Sequence, residues 1–111
     1  MDNAIRGQRR EGAKLMIRQK INALVDRSES EPRDVFDLDL LFAQYPDAMS
    51  PGEFDSARLE QAEAVVLGLP FEAYQELVVD FIEDDFVPIL GRQEVWDEMR
   101  LAVAAHLERL R

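Results

Sequence analysis

Apolar side chains recur every three or four residues along almost the whole chain, and this spacing constrains the fold more than any other feature. The pattern is clearest in residues 71–82, and residues 3–27 and 92–110 repeat it. Such spacing places the apolar side chains on one face of a helix. In residues 71–82 that face consists of Phe71, Tyr74, Leu77, Val78, Phe81 and Ile82.

Residues 34–45 are the one segment in which apolar and polar side chains alternate as in a strand. Phe36 and Leu38 alternate with aspartates, whereas Leu38 and Leu41 are also spaced as on a helix. A lone strand would leave its backbone groups unpaired, and the sequence offers no second strand. We therefore interpret this segment as a short helix that ends before Pro46.

A helix start is indicated by Ser50, Pro51 and Glu53, which match an N-cap, a first helical position and the partner in a capping box. This helix is expected to run to about residue 67, where Gly68 stops it. Pro70 is expected to open the next helix.

Together these segments predict an all-α protein, a single compact bundle of about five helices with short connections. The chain has 111 residues and 47% apolar content, which is enough for one domain with a real core. We expect a basic N-terminal helix over 1–27, frayed at its start by two glycines, a polar linker over 28–33, and an acidic helical body over 34–111.

The net charge of −10 is distributed unevenly. Residues 1–27 carry seven basic and three acidic side chains, whereas the rest of the chain carries six basic and twenty acidic ones. Between Arg58 and Arg92 there are eight carboxylates and no Lys or Arg. Such a field favours solubility and attracts basic partners, and it repels the phosphates of nucleic acid from the body of the domain.

The acidic region predicts a surface that binds the basic surface of a protein partner. For Asp80 and residues 83–85, a solvated helix end and a site for a hard cation are the alternatives to partner contact. Residues 86–90 form an apolar segment. It is either exposed, as an apolar contact for a partner, or buried at one end of the bundle. The predicted partner-binding residues are Glu60, Glu63, Glu76, Asp80, Glu83, Asp84, Asp85 and Phe86.

Basic side chains four residues apart form a stripe on the first helix: Arg6, Arg10, Lys14 and Arg18. An arginine-rich helix suits phosphate groups, so a nucleic-acid-binding subunit is the alternative function. No aromatic residue occurs in 1–27 to stack on bases. The stripe is equally suited to neutralising the acidic body of its own chain or of a second copy, which leaves a homodimer open.

The pair Glu60 and Glu63, followed by Glu76 and Asp80, resembles the metal-binding motif of all-helical nucleotide pyrophosphohydrolases. Those enzymes hold Mg²⁺ between an ExxE pair on one helix and an ExxD pair on the next. The resemblance implies a Mg²⁺-dependent hydrolase as a further alternative. Here the second pair is spaced four residues apart instead of three, so it departs from the family pattern.

Phe54, Asp55 and Ser56 resemble the Asp-Ser-Leu site of acyl carrier proteins, in which the serine at the start of a helix carries phosphopantetheine. Ala57 stands where that family has leucine. A cap at Ser50 also predicts that Ser56 lies inside its helix, as an ordinary exposed serine.

Catalytic chemistry is not expected. The chain has one histidine and no cysteine, and no nucleophile, base and oxyanion donor can be assembled from the sequence. We expect His106 to lie at the edge of the core, and we expect no catalytic residue, bound metal or cofactor. The N-terminus lacks an apolar segment typical of a secretory signal, and no apolar run is long enough to cross a membrane.

These observations favour a cytoplasmic, non-enzymatic regulator, such as an inhibitor, an immunity protein or an antitoxin-like protein. It would bind its basic partner through an acidic helical face.

Overall fold

The computed structural model describes residues 2–27 and 31–111, with side chains from residue 9 onward except that of Phe81. These residues form six helices and no strand, which confirms the all-α prediction. The helices are α1 (Asp2–Asp26), α2 (Pro32–Gln44), α3 (Ser56–Gly68), α4 (Phe71–Phe81), α5 (Val87–Leu90) and α6 (Gln93–Leu110).

One hydrophobic core joins the helices. The helix α1 packs on α2 and α3, α3 also packs along α6, and α4 packs on α2, α5 and α6. The apolar face of α1 buries Ile17, Ile21 and Leu24, and that of α6 buries Trp96 and Leu107. Burying each such side chain contributes about 1.5 to 3 kcal/mol, so packing stabilises the helices more than local propensity does.

The ambiguous segment 34–45 is helical, as expected. Val35, Leu38 and Phe42 of α2 are buried in the core, so the helical spacing and not the alternation determines the structure. The helix begins two residues earlier than expected because Pro32 lies in its first turn, where a missing N–H has no cost.

The predicted start of the third helix at Ser50 is wrong. Residues 50–54 form turns, and Gly52 has a φ angle of +86°, which is incompatible with a right-handed helix. The helix α3 begins at Ser56, and the Asp55 carboxylate caps it by accepting a hydrogen bond of 2.9 Å from the Ala57 N–H. Glu53 does accept a hydrogen bond from the Ser50 N–H, at 3.0 Å, but across a turn.

The predicted end of α3 and the predicted start of α4 agree closely with the structure. Gly68 is the last residue of α3, and Pro70 is the N-cap of α4. The apolar segment after α4 contains the short helix α5. Its Val87 and Leu90 pack against the core, whereas Phe86 and Ile89 are exposed.

Candidate partner-binding surfaces

The outward face of α4 is acidic and has an exposed apolar residue at its centre. A shallow groove there is lined by Glu72, Gln75, Glu76, Val79 and Asp80. These positions share one face because residues three and four apart are neighbours on a helix. The Val79 side chain is 62% exposed. Glu72 and Val79 were not predicted to belong to this surface, although their spacing from Glu76 and Asp80 could have indicated it.

The opposite face of α4 explains why this face points outward. Tyr74 and Val78 are buried in the core, and Leu77 packs against it. Since a helix of this size buries one stripe of side chains, the carboxylates on the other side are left in water.

The carboxylates continue into the connection that follows α4. Glu83, Asp84 and Asp85 are all exposed, and so are Phe86 and Ile89, by 51% and 57%. The backbone turns sharply here, because the Phe86 N–H donates to the Glu83 carbonyl at 2.9 Å. We call these residues the acidic surface: Glu72, Glu76, Val79, Asp80, Glu83, Asp84, Asp85, Phe86 and Ile89.

A hydrogen bond ties the connection to α4. The Tyr74 hydroxyl donates a hydrogen bond of 2.7 Å to the Leu90 carbonyl. Gly91 caps the end of α5 and has no room for a side chain, because a Cβ at this position would lie 2.7 Å from the Val87 carbonyl oxygen of the same short helix. The short helix is therefore anchored at its far end, which limits how far Phe86 can move relative to α4.

The two predicted carboxylates of α3 lie apart from the acidic surface. The Glu63 side chain is only 15% exposed, and its Oε2 lies 3.0 Å from Nε of Arg111. Burial raises the pKa of Glu63, and the Arg111 guanidinium partly opposes this shift. Glu60 is exposed on the same helix. Glu63 therefore has an internal structural role, and partner contact by α3 would rest on Glu60.

Among the described residues, no group of three carboxylate or imidazole side chains is placed to hold a metal ion. Glu60 and Glu63 on α3 are thus not brought together with Glu76 and Asp80 on α4. The four-carboxylate arrangement that the resemblance to pyrophosphohydrolases implies is not assembled in this structure.

Ser56 lies at the start of α3 and not inside the helix, so the predicted position of this serine is wrong, whereas its predicted exposure is confirmed. It is the first helical residue, and its side chain is exposed. The reason is the cap at Asp55, which replaces the expected cap at Ser50.

Several basic side chains of α1 form ion pairs within the chain. Lys14 pairs with Glu53, which fixes α1 to the turn before α3. Lys20 lies 2.8 Å from Asp37 and 3.4 Å from Asp34 of α2, and the hydrogen bond to Asp37 raises the pKa of Lys20. Part of the predicted basic stripe therefore stabilises the fold by neutralising the acidic body.

Two other arginines of the stripe remain accessible. Arg10 and Arg18 are exposed, and no carboxylate in the described part of the chain pairs with either. Arg9 is exposed beside them. Arg6 belongs to the predicted stripe, but its side chain lies outside the described residues.

His106 lies at the edge of the core, as expected. Its ring stacks on Phe42 with centroids 3.9 Å apart and planes 9° apart. Arg109 Nη2 lies 2.8 Å from Nδ1. Because arginine only donates, Nδ1 accepts and the neutral ring carries its proton on Nε2. Burial, assisted by the positive charge of Arg109, lowers the pKa of His106.

In the described part of the chain, no helix has both the length and the apolar character needed to cross a membrane. No protein family, no curated protein and no solved structure matches this chain.

Proposed function

We propose that this protein is a non-enzymatic regulator that binds the basic surface of a protein partner through the acidic surface of α4 and the connection after it. The observation that carries this proposal is the combination of charge and exposure. Six exposed carboxylates surround or adjoin three exposed apolar side chains. Between Arg58 and Arg92 no Lys or Arg interrupts this negative charge.

The two kinds of side chain have different roles in such a complex. The carboxylates attract a basic surface over several ångströms and orient it, which chiefly speeds association. Val79, Phe86 and Ile89 lose water on contact and slow dissociation, and aromatic anchors usually contribute most to binding energy. This mode suits an inhibitor, an immunity protein or an antitoxin-like protein. We propose a cytoplasmic location, in keeping with the absence of cysteine.

The test is a pull-down from lysate of the native host with three forms of the protein, read by mass spectrometry. In the first variant, Asp80→Asn, Glu83→Gln, Asp84→Asn and Asp85→Asn neutralise the acidic surface. A matched control makes the same change of charge elsewhere, with Glu11→Gln, Asp47→Asn, Glu94→Gln and Glu98→Gln, all of which are exposed.

We expect a basic protein that the wild type and the control retain, that the first variant loses, and that high salt releases. Equal retention by both variants would overturn the proposal. A Phe86→Ala variant should form complexes that dissociate faster, with little change in the rate of association.

Arg10 and Arg18 are exposed and pair with no carboxylate among the described residues, which favours a second candidate, a nucleic-acid-binding subunit. Its test is the fluorescence anisotropy of a labelled DNA duplex and a labelled RNA hairpin over a range of salt concentrations. Arg10→Gln with Arg18→Gln should weaken binding, and Arg92→Gln, at an exposed arginine outside α1, serves as the control. No salt-sensitive binding by the wild type would exclude this candidate.

A further inference from the structure

Two helix faces of the molecule are uncovered although each has an exposed apolar residue at its centre. On α1, Leu15 is 58% exposed and shares a shallow depression with Glu11, Lys14 and Arg18. On α4, Val79 occupies the corresponding place in the groove described above. In the described part of the chain nothing packs over either residue.

The two faces carry opposite charge. Arg10 and Arg18 are exposed, pair with no carboxylate in the described part of the chain, and lie in one row of α1 with Lys14, beside the exposed acid Glu11. The face of α4 carries three carboxylates, and α4 contains no Lys or Arg. Each face is therefore an electrostatic complement of the other.

The two faces do not cover each other within one chain. The helix α1 packs on α2 and α3, whereas α4 packs on α2, α5 and α6. Both outward faces remain in water. Their charged stretches also match in length, since residues 10–18 and 72–80 each cover about two and a half helical turns, or about 13 Å.

We propose that the basic face of α1 docks on the α4 face of a second copy of this chain, with Leu15 against Val79. In a dimer with two-fold symmetry the contact forms twice, because each copy offers both faces. This inference rests on the proposed binding role of the acidic surface and identifies an occupant for its α4 part.

The test is the molecular mass from sedimentation equilibrium, over a range of protein concentrations at low and at high ionic strength. We expect a reversible dimer at low ionic strength that dissociates roughly tenfold more readily at high ionic strength, a change of about 1.4 kcal/mol. A wild-type chain that is monomeric throughout would overturn the inference.

Reversing the charge of either face tests whether these faces form the contact. One variant carries Arg10→Glu and Arg18→Glu on α1, and the other carries Glu76→Lys and Asp80→Lys on α4. Each variant alone should be monomeric, because its α1 face and its α4 face then carry charge of the same sign. An equimolar mixture should form a heterodimer, since every α1 face then meets an α4 face of opposite sign.

The control carries Glu98→Lys and Glu108→Lys on exposed positions of α6 and should dimerise like the wild type. Circular dichroism checks that every variant is folded. A mixture that stays monomeric, or reversed variants that dimerise alone, would overturn the inference. The proposed function is tested by a different result. If the variant with the neutralised acidic surface still retains the basic partner in the pull-down, the proposed function fails, whereas the sedimentation results still decide on the dimer.

Discussion

The indole ring of Trp96 stacks on the phenol ring of Tyr74, with centroids 4.6 Å apart and planes inclined by 12°. Both residues are fully buried. Trp96 Nε1 donates to the Leu69 carbonyl at 3.3 Å, and the Tyr74 hydroxyl donates to the Leu90 carbonyl. The stack therefore ties α4 to α6 and holds the connections on both sides of α4, so it also supports the acidic surface.

Tyr74→Phe should destabilise the protein by about 1 kcal/mol, because it leaves the Leu90 carbonyl without its partner while the ring stack is kept. The measurement is urea unfolding followed by the fluorescence of the single tryptophan. Tyr45→Phe is the control, since Tyr45 is partly buried but its hydroxyl has no partner among the described residues. Equal effects of the two substitutions would show that the Leu90 contact adds nothing.

Asp34→Asn should destabilise the protein by about 2 kcal/mol. The Asp34 side chain is 2% exposed and accepts a hydrogen bond of 2.8 Å from Arg27, with Lys20 at 3.4 Å. The substitution keeps the shape of the side chain but removes the charge that both cations contact.

The control for Asp34 is Asp37→Asn on the same helix, which removes a carboxylate 2.8 Å from the same lysine. Because Asp37 is partly exposed, its loss should cost less than about 1 kcal/mol. Thermal or urea unfolding of the two variants makes the comparison, and a larger effect at Asp37 would contradict the role assigned to Asp34.

The pH dependence of stability should show the burial of His106. Its folded-state pKa is lowered by burial, so the unfolded chain binds a proton first as the pH falls. Stability is then fully present above the unfolded pKa of about 6.5 and is lost as the pH falls from there to the folded pKa.

The measurement is the unfolding free energy of the wild type minus that of His106→Gln, from pH 8 downward. Burial raises the pKa values of Asp39 and Glu63, whose contributions have the opposite sign and are lost as the pH rises. Both carboxyls are present in the two proteins, so the difference isolates the histidine. An NMR titration of this single histidine that gave a pKa above 6.5 would contradict the assignment.

The regular elements could be predicted because their signals are local and repeated. The spacing of Phe71, Tyr74 and Val78 predicts which side of α4 faces the core. The buried residues of α2 show the same spacing of three or four residues. The start of α3 was mispredicted because two caps compete within six residues. The capping-box pattern at Ser50 is strong, but the positive φ of Gly52 and the cap at Asp55 decide the outcome.

The candidate surface was predictable only in part, since exposure and pairing depend on residues distant in sequence. Asp80 and residues 83–85 are exposed at the end of α4 and in the connection after it. The sequence could not show that Glu63 differs from these exposed carboxylates, because its ion-pair partner Arg111 lies far away in the sequence. The pairing of Lys14 with Glu53 likewise needs the fold that brings α1 to the turn before α3.

Replacing two glycines by alanine should change stability in opposite directions. Gly52 has a φ of +86°, where a Cβ is strained, so Gly52→Ala should destabilise by about 1 to 2 kcal/mol. Gly12 is exposed within α1, and a Cβ there would meet no atom within 4 Å.

Gly12→Ala should therefore stabilise by about 0.5 to 1 kcal/mol, through helix propensity and the lower entropy of the unfolded chain. Urea unfolding of both variants against the wild type measures the two effects. If Gly52→Ala were neutral, the left-handed turn that delays the start of α3 would be dispensable, and the capping box at Ser50 would become free to begin the helix. An increase in helix content by circular dichroism would then accompany that result.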